Sequence, residues 1–366
     1  MIHVLIGTRA QLIKMIPIMH QMKSRGIDYN FIFMAQHRET IYEMLEGFKL
    51  KKPDYVLCDT GSDIVSTKQM ILWSLKVLYE GILSKNKIFK EDKNGIVLIH
   101  GDAPPLLLGA VIAKLQGLQT GSVEAGLRSF NWWKPFPEEI TRVVTAKLRL
   151  IDVYYCQDET AISNIKSYRG RYVHTQGNTI SDSIRLALKI NQHNNSLEPA
   201  NKKREIYAVV TLHRFETISN AKQLRKVVAL VQHISKTINL IFILHPPTKA
   251  ALINKGLFNE LNHNSSIRLL PRMSFIDFNR LLSASQFIIT DGGSNQEESA
   301  FLGIPCLLFR NETERLEGLG KNVVLSKFDI SIIDEFVENY KNYLTPISSI
   351  TSSPTSIILD DVVSYT

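Results

Sequence analysis

The stretch Phe287–Phe309 reads FIITDGGSNQEESAFLGIPCLLF. An apolar run, Phe287–Thr290, enters a Gly/Ser loop and a helical stretch, and a second apolar run, Pro305–Phe309, follows. Runs that are apolar on both faces suit buried parallel strands, and a helix between two of them makes a βαβ unit. The loop carries chemistry as well. Gly292, Gly293 and Ser294 offer free backbone N–H groups at a helix N-terminus, which suits a pyrophosphate. Glu298, one turn in, can accept from ribose hydroxyls. A plain βα loop does not need two glycines, a serine and two glutamates together.

Outward from this unit the same alternation fills the chain. Strands are expected at His3–Ile6, Tyr29–Met34, Ile96–His100, Gln119–Val123 and Val153–Cys156 in the first half. In the second half they are expected at Tyr207–Thr211, Leu240–His245 and Ile267–Leu270, besides the two runs quoted. Helices are expected between them, at Ala221–Thr237 and Phe275–Ser285 among others. Leu12, Met15, Ile16, Met19 and Met22 recur at helical spacing and read as core. The fold class is therefore α/β with parallel sheets covered on both faces. Two α/β domains follow: 1–175, and 176–350 for the nucleotide, meeting around Arg171–Asp182. Gln192–Arg204 reads as a loop. Ile357, Ile358, Val362 and Val363 suggest a last helix, about 354–366. Tandem α/β domains imply a cleft, with ligands at the carboxyl ends of the strands.

Composition narrows the classes. The 366 residues are 44% hydrophobic and 21% charged, as in soluble globular chains. No apolar run reaches the roughly 18 residues that span a bilayer. The N-terminus has no signal-peptide pattern. Three scattered cysteines give neither a disulfide framework nor a zinc spacing. A cytoplasmic protein without membrane insertion is expected. The net charge of +8 fits an anionic small substrate. The densest basic run, Lys202-Lys203-Arg204, reads as a solvated loop, and no aromatic–basic interleaving indicates nucleic acid.

The polar residues that follow apolar strands are the candidate site. Gly7-Thr8-Arg9, with Lys14 a turn later, makes a plausible anion site but lacks the glycines of a dinucleotide fingerprint. His100-Gly101-Asp102 and Glu124 end two further strands, and Glu138-Glu139 opens a helix. Glutamates in a first helical turn complement the macrodipole and need no other explanation. An acid directly after an apolar strand is harder to dismiss. Such carboxylates can act as general acid and base. No metal or cofactor is expected. In the second half, His213, Arg214 and His245 end strands and favour an anionic ligand.

The sequence resembles the non-hydrolysing UDP-N-acetylglucosamine 2-epimerase family. The resemblance rests on GTRAQLIKMIP (Gly7–Pro17), AQHRE (Ala35–Glu39), HGD (His100–Asp102), VEAGLRSFN (Val123–Asn131), PFPEE (Pro135–Glu139), GNT (Gly177–Thr179), TLHR (Thr211–Arg214), DGGSNQEE (Asp291–Glu298) and TER (Thr313–Arg315), in order. It implies a GT-B fold of two Rossmann-like domains whose C-terminal helix returns to the first domain. It also implies reversible conversion of UDP-GlcNAc to UDP-ManNAc for surface polysaccharide, by elimination of UDP to 2-acetamidoglucal and re-addition. Carried over by position, Asp102, Glu124, Glu138 and His213 would be catalytic. Arg9, Lys14, Arg128, Arg214, His245, Phe275, Gly292, Gly293, Ser294, Glu298 and Arg315 would bind substrate. Gln36, His37 and Arg38 resemble part of an allosteric UDP-GlcNAc site, and a homodimer is the family expectation.

The chain departs from the family pattern in places. GTRAQ replaces GTRPE, DGGS replaces DSGG, TERLE replaces TERPE, Pro246-Pro247 follows His245 in place of Leu-Asn-Pro, and Val143 stands where an acid is usual. The alternatives are a hydrolysing epimerase, an epimerase of a related UDP-amino sugar, a GT-B glycosyltransferase and a nucleotide-sugar sensor.

Overall fold

The computed structural model describes residues 1–36, 40–59, 61, 67–101, 103–132, 137–195, 205–313, 315–347 and 352–364. The chain divides into two compact units, Met1–Leu186 with Ile350–Thr366, and Ala187–Ser349. Among the described residues no helix is long and apolar enough to cross a membrane.

The first unit holds a seven-stranded sheet: β1 (Ile2–Ile6), β2 (Tyr29–Phe33), β3 (Tyr55–Val56), β4 (Ile96–His100), β5 (Gln119–Ala125), β6 (Val153–Cys156) and β7 (Arg171–His174). Its order is β3-β2-β1-β4-β5-β6-β7, and every described pair is parallel. The central strands β1, β2 and β4 are buried along their whole length, which is why they read as unbroken apolar runs. Helix Arg9–Ser24 packs Leu12, Met15, Ile16, Met19 and Met22 into this core with no exposure. Helix Pro354–Val363 lies against helix Arg9–Ser24. Asp361 clamps it to the sheet by a two-point contact with Arg171, both distances 2.6 Å, and accepts from the Tyr155 hydroxyl at 2.8 Å.

The second unit holds β8 (Tyr207–Thr211), β9 (Asn239–Leu244), β10 (Ile267–Pro271), β11 (Ile288–Thr290), β12 (Cys306–Leu308) and β13 (Val323–Leu325). The order is β10-β9-β8-β11-β12-β13, again all parallel. Helices Ala221–Ile234 and Phe275–Ser283 lie where the apolar spacing places them.

Strand order reverses between β1 and β4 in one unit and between β8 and β11 in the other. Loops leaving a sheet at such a point diverge and leave a crevice at the carboxyl ends. Within Arg171–Asp182, Arg171–His174 pairs with β6 as an edge strand and a helix begins at Ile180. One sequence expectation needs correction. Gln192–Asn195 continue that helix rather than opening a loop. Residues 196–204 lie outside the described residues.

Candidate functional site

At both reversals one side chain ties the two central strands together. In the first unit it is Gln11. Its Oε1 accepts from Gly7 N at 2.9 Å and Thr8 N at 3.1 Å, and its Nε2 donates to the His100 carbonyl at 2.7 Å. A carboxylate at this position has no proton to give that carbonyl, so the glutamine of GTRAQ adds a link that an acid lacks. Thr8 caps helix Arg9–Ser24 by accepting from Gln11 N. This sets Arg9 at the first helical position and Lys14 a turn and a half further on.

Glu124 sits on a bulge in β5, where the register with β6 shifts between Val123 and Ala125. Its φ is +61°, a left-handed conformation that a non-glycine residue adopts at a cost of about 1–3 kcal/mol. Such bulges re-aim side chains beside active sites. Here Glu124 Oε2 contacts Lys14 Nζ and stands 2.7 Å from His100 Nε2. All three side chains are at most 7% exposed. Burying charge at this depth is tolerated only when it is paired and hydrogen-bonded.

Glu138 is half-buried at the start of helix Glu138–Lys147. Its neighbour Glu139 is buried and accepts from Arg128 Nε at 2.6 Å, Arg142 Nη1 at 3.3 Å and Ser129 N at 3.1 Å. These contacts, led by Arg128, hold the Glu139 carboxyl below the usual carboxylate range against the opposing effect of burial. Arg128 is thus engaged by Glu139 and lies over the Phe130 ring. Gln36 is buried. Asp102, His37 and Arg38 lie outside the described residues.

In the second unit the tie is Asp291, fully buried at the end of β11. Its carboxylate accepts from His213 N at 3.0 Å and Arg214 N at 3.0 Å, at the end of β8. The His213 ring stacks on His245, centroids 4.7 Å apart, at the end of the next strand. The His213 side chain keeps 39% of its surface, yet protein surrounds most of the ring. Desolvation lowers its pKa below the usual 6.5, against the pull of Asp291 and with help from Arg214 and Arg272. Arg272 follows β10, so Arg272, His245 and His213 lie just beyond the carboxyl ends of the adjacent strands β10, β9 and β8.

A Cβ on Gly292 would lie 2.8 Å from His213 Cε1 and 2.8 Å from Asn295 Oδ1. A serine here, as in the family's usual order, requires one of these side chains to shift. A Cβ on Gly293 would meet Arg315 Nε at 2.7 Å. Arg315 is held by Glu297, and Gln296 Nε2 donates to the Arg315 and Glu317 carbonyls. Asn295 donates to Glu298 at 3.0 Å, and Ser294 is exposed in the first turn of helix Gly293–Leu302. Phe275 is 3% exposed.

The structure therefore gathers Lys14 and Glu124 in one unit, and His213, Arg214, His245 and Gly292 in the other. His100, Gln11, Asp291 and Arg272 were not assigned roles from the sequence. Arg272 and Asp291 carry the same signal as Glu124, a charged residue directly after an apolar strand. Among the described residues no group of three or more His, Cys, Asp or Glu side chains is disposed to hold a metal ion.

A family model described as UDP-N-acetylglucosamine 2-epimerase matches residues 20–348. A UDP-N-acetylglucosamine 2-epimerase of Methanococcus maripaludis is 34% identical over 331 residues, 88% of this chain and 86% of the relative. A solved structure of UDP-GlcNAc 2-epimerase from Methanocaldococcus jannaschii, in complex with UDP-GlcNAc and UDP, superposes with a TM-score of 0.78 at 25% identity, over 100% of this chain and 99% of that one. UDP-GlcNAc 2-epimerase from Neisseria meningitidis, bound to UDP-GlcNAc, gives 0.80 at 25% identity and 99% coverage of each chain.

Proposed function

The chain belongs to the UDP-N-acetylglucosamine 2-epimerase family, and from that premise we propose that it interconverts UDP-GlcNAc and UDP-ManNAc by elimination and re-addition of UDP, as a step toward surface polysaccharide. The C2 proton has no adjacent carbonyl to acidify it. A base removes it while the C1–O bond to the diphosphate breaks, giving 2-acetamidoglucal. UDP then adds back at C1 as an acid protonates C2 from the other face. No oxidant is needed.

The observation that carries the reading is Glu124, a buried carboxylate on a strained bulge beside two basic groups. We assign it to proton transfer at C2, with Glu138 and Asp102 as its fellow acid–base groups. Arg9 and Lys14 counter negative charge on the departing diphosphate. In the second unit the Gly292 N–H already donates to Thr290 Oγ1 at 3.0 Å, so the backbone N–H groups of Gly293 and Ser294 meet phosphate; His213, Arg214 and Arg315 add positive or hydrogen-bonding contacts, and Glu298 takes ribose hydroxyls.

The test is proton NMR of UDP-GlcNAc with the enzyme in D2O. UDP-ManNAc carrying deuterium at C2, with little free sugar, is expected. Accumulating free ManNAc and UDP moves the protein to the hydrolysing branch. No product and no exchange overturns the assignment of this substrate.

A neutral His213 that meets a diphosphate gains by taking up a proton. The bound anion raises its pKa above the depressed value of the free protein, so UDP affinity rises as pH falls below neutral. Calorimetry from pH 7.5 to 5.5 should show that rise in the wild type and a smaller one in His213→Asn. Equal slopes would remove His213 from the diphosphate site.

Assembly belongs to the same reading. Helix Thr67–Ile88 presents Ile71, Leu72, Leu75, Tyr79, Ile82 and Leu83 at 46–71% exposure. At about 100° per residue these fall within an arc of roughly 120°. Six such side chains on one helix face make a contiguous apolar patch of the kind that marks an interaction surface. We propose that a second copy covers this face. Leu75→Glu with Tyr79→Glu should give a folded monomer by light scattering. A wild type that is already monomeric, or a double variant that stays dimeric, would refute it.

A further inference from the structure

The parallel register of β4 and β5 pairs His100 with Val123, and the bulge in β5 falls at the next residue, Glu124. His100 Nε2 then lies 2.7 Å from Glu124 Oε2, with both side chains more than nine-tenths buried. The His100 backbone is fixed separately by Gln11. On the far side of the ring, Nδ1 is buried with no hydrogen-bond partner among the described residues. A proton there would be an orphaned donor. The surroundings therefore favour the tautomer with its proton on Nε2, which makes His100 the donor and Glu124 the acceptor.

We infer that His100 is a positioning residue for the epimerase reaction: its Nε2–H aims the Glu124 carboxylate and keeps it ionised for proton transfer at C2. The inference rests on the function proposed above and adds to it a group that does not itself touch substrate. Among the described residues, charged groups around Glu124 include Lys14, from helix Arg9–Ser24, and Arg128 and Arg142, which line a small cavity shared with it and are both engaged by Glu139. Lys14 supplies charge through a flexible stem, whereas the imidazole supplies direction from a rigid strand end. A purely structural histidine would show itself in stability and not in the pH profile.

His100→Gln keeps an Nε2 donor at similar reach, and His100→Leu fills the space without one. His100→Leu should lower kcat by about 10- to 100-fold, with KM for UDP-GlcNAc within about threefold. The acid limb of its kcat profile should move up by about one to two pH units, the size of a lost hydrogen bond to a charged group. His100→Gln should restore most of the rate and return the limb. Wild-type kcat and profile in His100→Leu would overturn the inference. So would a His100→Gln as impaired as His100→Leu at equal melting temperature. A second measurement does not depend on the substrate or on the variants folding. In wild-type protein labelled with 15N-histidine, the His100 ring should report the Nε2–H tautomer. The Nδ1–H tautomer would overturn the inference. Failure of the wild type to act on UDP-GlcNAc at all would fall on the proposed function, and the tautomer would still decide the hydrogen bond.

Discussion

Glu124→Gln should abolish nearly all epimerase turnover, by about a thousandfold, because general acid–base groups typically contribute about 10²–10⁴ to a rate. UDP affinity should change only a few-fold, since the diphosphate contacts lie on other residues. The amide is nearly isosteric, so the bulge and its positive φ are kept. The charge is not. Lys14, 7% exposed, loses the Glu124 carboxylate from beside its buried charge. Breaking a buried pair from one side costs about 3–5 kcal/mol. The variant should therefore melt earlier as well as turn over slowly, and a single change cannot separate the two effects. Glu124→Gln combined with Lys14→Met removes that buried charge as well. It should regain much of the stability and none of the rate. Steady-state kinetics beside thermal melts on the three proteins is the measurement. Turnover above a tenth of wild type in Glu124→Gln would withdraw the proton-transfer role.

The second large effect belongs to Asp291→Ala. This carboxylate is fully buried and accepts from the backbone N–H groups of His213 and Arg214. Deleting it leaves two part-buried donors without that partner, at up to about 1–3 kcal/mol each, so a loss of about 2–4 kcal/mol is expected in urea unfolding. It also frees the turn that aims His213 at His245 and Gly292. UDP affinity should fall by about 100-fold, which corresponds to roughly 2.7 kcal/mol. Asp291→Asn keeps one acceptor and should fall between. An unchanged unfolding midpoint together with wild-type UDP affinity would show that the tie between β8 and β11 organises nothing.

The central strands were legible because they are buried on both faces. The strands that reading missed are β3, β7 and β13. Tyr55–Val56 is two residues long, Arg171–His174 is only half-buried, and all three lie at sheet edges. An edge strand needs no continuous apolar run, so composition hides it. The candidate site divides in the same way. Glu124 and Asp291 announce themselves as acids after apolar runs. The partnership of His100 with Glu124 depends on a strand register and a bulge, which spacing along the chain does not encode. Arg128 and Glu139 stand 11 residues apart, and only the fold shows that one consumes the other.

Helix Pro354–Val363 completes the first unit, although the whole second unit precedes it in the chain. A ribosome making this protein releases the strands β1–β7 long before it makes Asp361 and the apolar side of that helix, Ile358, Leu359 and Val362. Until then Arg171 lacks its carboxylate partner, and helix Arg9–Ser24 has an uncovered flank. The nascent first unit must therefore wait, incomplete and sticky, while some 160 further residues are translated at about 5–20 per second. For that interval of about 8–30 seconds its protection falls to chaperones rather than to its own sequence.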